Sequence, residues 1–375
     1  MKLFEYQAKE LFGEAGIEVP KSVLIDGQSD LDAAISGAAM PCVIKSQVLS
    51  GKRGKAGLIR FADGAENARK EIASLFGGPA GVKKILVEEA VNIDREVYLA
   101  VTIDPVNAKA LVISCAEGGM DIEELAASGS DKIHYTLTDV AGGVPDFQCR
   151  EIAYGLGFDG DVAKRIASVV KKLHGVFRQY DAELAEINPL FVTKDGRVVA
   201  GDGKLVIDDN SAARQKRFET GRDYFGSDAE YESCMEGIPY LQFDGDISLM
   251  CAGAGLTTTV FDLINYSGGT VANYLEFGGA NYKKAVRAME LCLKNATAKV
   301  ILIVTFGTIA RADVMAEGIK SAIETLRPAM PIVVCIRGTN EEVAAETLRS
   351  VGLTPLYDTE EAVALAVKIA KEAAR

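Results

Sequence analysis

Two histidines, His134 and His174, are all that the 375 residues carry. His174 falls in the middle of an amphipathic helical pattern, and both read as structural or solvated. Chemistry routed through a histidine would therefore have to come from another chain. The seven cysteines (Cys42, Cys115, Cys149, Cys234, Cys251, Cys292 and Cys335) are scattered, odd in number and never spaced Cys-x-x-Cys. That pattern excludes a disulfide framework and a zinc ribbon, and implies buried, reduced thiols. No apolar run approaches the roughly 20 residues that a membrane span needs. The start, Met1-Lys2-Leu3-Phe4-Glu5-Tyr6, has an acidic residue at once and no apolar stretch or cleavage site, so a cytoplasmic location is expected. Positive charge is also short: 41 lysines and arginines face 53 acidic residues, a net charge of -12. Such a balance excludes nucleic acid as a main partner, and anionic ligands would have to be met by local basic residues and helix ends.

What is present points to an α/β protein of more than one domain. The length exceeds what one core usually organises. Phe4, Ala8, Leu11, Phe12 and Ala15 recur at helical spacing, with Gly16 as a stop. Apolar strands are expected at 42–45, 58–61, 84–88, 96–104 and 110–114, and a helix over 161–179, so the first half mixes antiparallel strands with helices. The stretch 211–240 is charged and poor in apolar periodicity, which marks a linker or a surface helix. A boundary near Gly237-Ile238-Pro239 divides the chain into residues 1–238 and 239–375. Beyond it, short apolar strands alternate with helices (247–251, 257–266, 272–275, 282–293, 299–304, 312–326, 332–336, 340–350, 359–373), the pattern of a doubly wound parallel sheet.

Several constellations carry chemistry. Lys45 and the loop Gly51-Lys52-Arg53-Gly54-Lys55 offer up to four cations that could close over a polyphosphate, although the spacing is not that of a Walker loop. Glu88 and Glu89 end an apolar strand and Glu96 follows a short loop, a place that could meet ribose hydroxyls and an adenine edge. Ala185-Glu186-Ile187-Asn188-Pro189 and Gly201-Asp202-Gly203-Lys204 flank a hairpin signal at Asp195-Gly196. A two-residue turn would put Asn188 opposite Gly203. A three-residue loop, Lys194 to Gly196 with Gly196 at positive φ, would put Asn188 opposite Asp202; only that register offers oxygen ligands for magnesium, and it is the one expected. In the second half, Cys251-Ala252-Gly253-Ala254-Gly255 and Phe306-Gly307-Thr308-Ile309-Ala310-Arg311 each link a strand to a helix at one sheet edge, where such folds bind anions. Glu276-Phe277-Gly278-Gly279-Ala280 is a candidate third loop.

Taken in order, Phe4 to Lys9, Lys45 to Gly57, Glu117 to Glu123, Glu186 to Pro189, Asp202 to Lys204, Gly253 to Leu256 and Phe306 to Asp313 resemble the beta subunit of succinyl-CoA synthetase, essentially end to end. The resemblance implies an ATP-grasp domain followed by a flavodoxin-like CoA-ligase domain. It implies ATP (GTP being possible) and Mg2+, and an alpha subunit that carries the phosphorylated histidine and the CoA site, in an alpha-beta heterodimer or a dimer of heterodimers. It assigns Lys45, Lys52, Arg53, Gly54, Glu88, Val91 and Glu96 to the nucleotide and Asn188 and Asp202 to the metal. Glu186 and Arg53 fall to the phosphoryl chemistry, and Ala252, Gly307, Thr308 and Ile309 to substrate and phosphate, with a helix beginning at Gly307-Thr308. The chain departs from the pattern where Ala252 replaces asparagine, Thr308 replaces glycine and Lys52 replaces glycine. Ala252 cannot hydrogen-bond a carboxylate, so succinate leads while malate, citrate or a related acid stays open. An ATP-grasp ligase joining a carboxylate to an amine, and a non-catalytic assembly subunit, are the competing readings.

Overall fold

The computed structural model describes residues 1–27, 31–49, 53–120, 122–127, 132–211, 213–218, 221–278 and 283–373. The chain forms two compact units, Met1–Thr220 and Gly221–Arg375.

The first unit begins with α1 (Glu5–Glu14), β1 (Ser22–Asp26), α2 (Leu31–Gly37), β2 (Cys42–Ser46), β3 (Ile59–Ala62), α3 (Ala65–Phe76) and β4 (Lys84–Glu89). It continues through β5 (Ile93–Asp104), β6 (Lys109–Cys115), α4 (Ile122–Ala127), β7 (Ile133–Thr138), α5 (Asp146–Gly155) and α6 (Gly160–Gln179). It ends in β8 (Ala182–Thr193), β9 (Val198–Ala200) and β10 (Lys204–Ile207). Two antiparallel sheets result, ordered β1-β4-β2-β3 and β10-β8-β5-β6-β7, with β9 also on β8. Helices α2 and α3 cover the smaller sheet around Ile35, Ile72 and Leu75. Helices α1, α5 and α6 bury Phe12, Ile152, Ile166 and Leu173 against the larger one. The alternation of apolar residues along α6 accounts for this: each i, i+3, i+4 step returns a side chain to the same core face.

The second unit runs α7 (Asp228–Glu236), β11 (Tyr240–Gln242), β12 (Ile247–Cys251), α8 (Ala254–Tyr266), β13 (Val271–Leu275), α9 (Ala285–Leu293) and β14 (Val300–Gly307). It closes with α10 (Ala312–Leu326), β15 (Ile332–Gly338), α11 (Glu341–Arg349) and α12 (Thr359–Ala373). Its sheet is ordered β11-β13-β12-β14-β15, with β12 to β15 parallel and β11 antiparallel at the edge. Helices α9, α10 and α11 pack on one face and α8 and α12 on the other. That is the doubly wound arrangement expected, and its strands are buried on both faces, which is why they read as continuous apolar runs.

The boundary differs from the expectation. The structure divides the chain at Thr220, and α7 belongs to the second unit because Ala229 packs into the core of Ile238, Tyr240 and Phe277. Strand β7 and helices α3 and α5 were not among the expected elements. Among the described residues no helix is long and apolar enough to cross a membrane.

Candidate functional site

The β8 hairpin takes the three-residue loop. Thr193 N–H bonds to Arg197 O at 3.0 Å, and Gly196 sits at φ +79° between them. Leu190 pairs with Ala200 and Glu186 with Lys204, and the register common to both places Asn188 opposite Asp202. Glu186, Asn188, Asp202 and Lys204 are half-buried while Ala185, Ile187 and Leu205 between them are fully buried, so the four polar residues share one face. They line a cavity of about 670 Å³ together with Lys2, Glu5, Arg53, Gly54, Lys55 and Glu123. Gly118 and Gly201 let the backbone approach closely: a Cβ at Gly118 would lie 2.7 Å from Val97 N, and one at Gly201 would lie 2.3 Å from the Phe191 ring. The loop over Gly118 in turn brings the Gly119 N–H to Asn188 Oδ1 at 2.8 Å, while Asn188 Nδ2 donates to Met120 O at 2.9 Å.

Beneath the cavity lies a buried ion network that joins α1, β2, β4 and the hairpin. Lys45 Nζ contacts Glu5 Oε1 at 2.9 Å and Glu88 Oε2 at 2.7 Å and donates to Gly201 O at 2.5 Å. Lys9 Nζ contacts Glu88 Oε1 at 2.5 Å and also reaches Glu5 and Gly201 O. Arg53 Nη1 contacts Glu5 Oε2 at 2.5 Å, and its Nη2 spans Asp202 Oδ1 and Oδ2 at 3.0 and 2.8 Å. Among the described residues three cations thus offset three carboxylates, Glu5 and Glu88 fully out of water and Asp202 at the cavity wall. Burial alone would raise the Glu5 carboxyl, but Lys45, Lys9 and Arg53 hold it well below the usual range. Burial and then the charge of Glu5 push Asp202 upward against the pull of Arg53. Burial opposes the charge of Lys45, yet Glu5 and Glu88 raise its ammonium above the ordinary value. Removing one partner from such a set costs about 3–5 kcal/mol, because a buried charge is left uncompensated.

Glu186 is oriented by Tyr98, whose hydroxyl donates to Oε2 at 2.9 Å. Burial, followed by the Glu186 charge, pushes the phenol upward, so it stays protonated and donating.

The structure brings together Arg53, Gly54, Glu186, Asn188 and Asp202 of the expected site residues. It does not leave Lys45 and Arg53 as loose flap cations; both are pinned by Glu5, and Glu88 is consumed by the two lysines. Lys55 is exposed, 3.6 Å from Glu124. Val91 lies in the connection between β4 and β5, and the Glu96 carboxylate lies beside Gly119, raised by burial; neither lines the cavity. Lys52 lies outside the described residues. Glu5, Lys9 and Tyr98 were not expected at the site. The i, i+4 spacing of Glu5 and Lys9 was the one available signal, and such pairs usually sit at the surface.

In the second unit Gly253 adopts φ +97° at the head of α8. A Cβ at Gly278 would lie 2.7 Å from Gly253 N, so the third loop touches the first, while Gly279 and Ala280 lie outside the described residues. Half-buried Ala252 follows β12. Helix α10 begins at Ala312 and not at Gly307: Gly307 ends β14, pinned by a bond from Thr339 N–H to its carbonyl, and Thr308 and Ile309 form an exposed bend. The Ala312 N–H is already taken by Thr339 O.

Comparison with known proteins gives these features a family. An ATP-grasp domain matches residues 2–192 and a CoA-ligase domain residues 250–369. The ADP-forming succinate-CoA ligase beta subunit of Ignicoccus hospitalis is 38% identical over 100% of both chains. The chain belongs to the succinate-CoA ligase beta-subunit family. Within this family of ADP-forming acid-CoA ligases, two relatives bear another acid in their names. The ADP-forming sulfoacetate-CoA ligase subunit SauC of Bilophila wadsworthia is 60% identical over 99% of each chain. The corresponding subunit SqwK of an Acholeplasma species is 54% identical over 99% of this chain and 92% of its own. Among solved structures, the ATP citrate lyase of Methanothrix soehngenii, in complex with citrate and coenzyme A, shares the fold with a TM-score of 0.68, at 20% identity and covering 98% of this chain and 99% of its own. The smaller and larger antiparallel sheets are thus those of an ATP-grasp domain, and the doubly wound sheet is that of the CoA-ligase domain.

Proposed function

We propose that this chain is the nucleotide-handling subunit of an ADP-forming ligase that joins sulfoacetate to CoA, working with an alpha-type subunit that supplies the phosphorylated histidine and the CoA site. The observation that carries the acid is the higher identity to the two sulfoacetate-CoA ligase subunits, 60% and 54%, than to the succinate-CoA ligase subunit, 38%. Ala252 and Thr308, where this chain leaves the succinate pattern, support it chemically. A sulfonate carries three acceptor oxygens in a tetrahedral array, suited to the Thr308 hydroxyl and to the backbone N–H groups at the head of α8 beside Ala252 more than to an asparagine amide aimed at a planar carboxylate. Succinate is the second reading, favoured by the family pattern outside those positions.

In the first unit, Arg53 and Gly54 are assigned to the phosphates and Glu186 to the partner's histidine. Lys45 and Glu88, with Val91 and Glu96, are assigned to the rest of the nucleotide. Asn188 Oδ1 and the Asp202 carboxylate would hold magnesium: both are hard oxygen donors, they stand opposite each other in register, and both face the cavity. Bound there, magnesium supplies positive charge against which a polyphosphate is held. Glu186, fixed by Tyr98, presents its carboxylate where an incoming imidazole needs an acceptor for its far N–H, which keeps the attacking nitrogen unprotonated and aimed. Lys2 and Lys204 flank Glu186 and offset phosphoryl charge in the cavity. The test is to co-purify the chain with its alpha partner and to measure CoA- and ATP-dependent ADP release with sulfoacetate, succinate, malate and citrate. Sulfoacetate should give the highest kcat/KM. A higher value for succinate would overturn the proposed acid, and no ADP release with any acid would overturn the ligase reading.

A further inference from the structure

We infer that Glu5 is a positioning residue of the nucleotide and metal site, a buried carboxylate that retains Arg53 and Lys45 so that Asp202 can be given over to a metal ion. The inference rests on the proposed function above and adds a residue from α1 to it.

The two carboxylates that grip Arg53 differ in setting. The Glu5 side chain is 2% exposed and that of Asp202 is 29% exposed on the cavity wall. Arg53 Nη1 donates to Glu5 and, at 3.2 Å, to the Ser46 carbonyl, and Nη2 donates to both oxygens of Asp202. A divalent ion on Asp202 and the Nη2 fork compete for the same two oxygens. Arg53 set free at both ends would be a largely desolvated, unpaired cation, which is a heavily penalised state. With Nη1 held by Glu5, the guanidinium keeps one partner and turns only Nη2, which then faces the cavity where a phosphate can take the place of Asp202. Glu5 does the same for Lys45, holding its Nζ at 2.9 Å so that it donates at 2.5 Å to the carbonyl of Gly201, the residue that precedes Asp202. One carboxylate therefore sets the position of two cations assigned to the nucleotide and governs the release of a carboxylate assigned to the metal. Without it, Arg53 has only Asp202 as a charged partner among the described residues, and metal and arginine exclude one another.

The test uses the nucleotide-free complex with its partner subunit and titrates MgATP and MgADP by calorimetry, alongside steady-state kinetics. Glu5→Gln leaves Lys9 and Lys45 short of a counter-charge and risks the fold. The double variant Glu5→Gln/Lys9→Met removes one charge of each sign, so the network stays neutral, and Lys9→Met alone, itself one charge out of balance and so checked for its fold by its Tm, serves as its control. The double variant should lose about tenfold or more in MgATP affinity, with a matching rise in the KM for ATP and a smaller fall in kcat, while Lys9→Met alone changes affinity by less than about threefold and Glu5→Asp restores part of the loss. Binding of MgATP by the folded double variant within about twofold of the unsubstituted complex would overturn the inference and leave the proposed function standing. Absence of MgATP binding by the unsubstituted complex would overturn the proposed function and the inference together.

Discussion

Tyr98 reaches Glu186 across the face of the larger sheet, from β5 to β8, and it is 3% exposed while the carboxylate looks into the cavity. Because the phenol stays protonated, it acts only as a donor and holds one oxygen of Glu186 still. Tyr98→Phe keeps the packing and removes that bond. The expected result is a fall of about fivefold in the rate of phosphoryl transfer from ATP to the partner subunit, the equivalent of about 1 kcal/mol, with ATP affinity unchanged. Rapid-quench labelling with γ-labelled ATP measures it, and an unchanged rate would remove Tyr98 from the site. At this scale Glu186, Asn188 and Asp202 were legible because polar residues at every second position of an apolar strand must share a face. Tyr98 was not, since a tyrosine in an apolar strand reads as core until the strand beside it is known.

Helix α6 is the best patterned element of the first unit, and His174 is its exception, 3% exposed with no hydrogen-bond partner for Nε2 among the described residues. Burial, reinforced by Arg178 and opposed by Asp139, holds its imidazole below the ordinary value. The folded chain therefore keeps His174 neutral where the unfolded chain, with a value of about 6.5, takes up a proton. Stability from this group is present above that value and is lost as pH falls through it towards the folded value. His174→Leu should accordingly reduce the drop in Tm between about pH 7.5 and about pH 5.5, and an equal drop in both proteins would count against it. Long, periodic elements such as α6, α10 and α12 were readable to within a residue or two. Strand β7 was not: Ile133-His134-Tyr135-Thr136-Leu137-Thr138 is an edge strand whose His134, Tyr135 and Leu137 stay exposed, so no single burial period marks it. The hairpin loop was decided by one residue, Gly196, which takes the left-handed conformation that the three-residue loop requires.

For the whole molecule, neither histidine lines the cavity: His134 is exposed on β7 and His174 is buried in α6. The chain alone should bind MgATP yet release no ADP in the presence of acid and CoA, and addition of the alpha partner should restore turnover in a coupled ADP assay; turnover by the single chain would favour the carboxylate-amine ligase reading. The sequence by itself determined the two kinds of architecture and pointed to the hairpin register, because local periodicity and turn chemistry act over a few residues, while its ordered motifs carried the resemblance to the family. Only the tertiary structure decided that α7 joins the second unit and that Lys45 and Arg53 are held by Glu5. The grip on Lys45 and Arg53 joins segments 40 to 149 residues apart, and a buried charge takes whichever counter-charge the fold brings within reach.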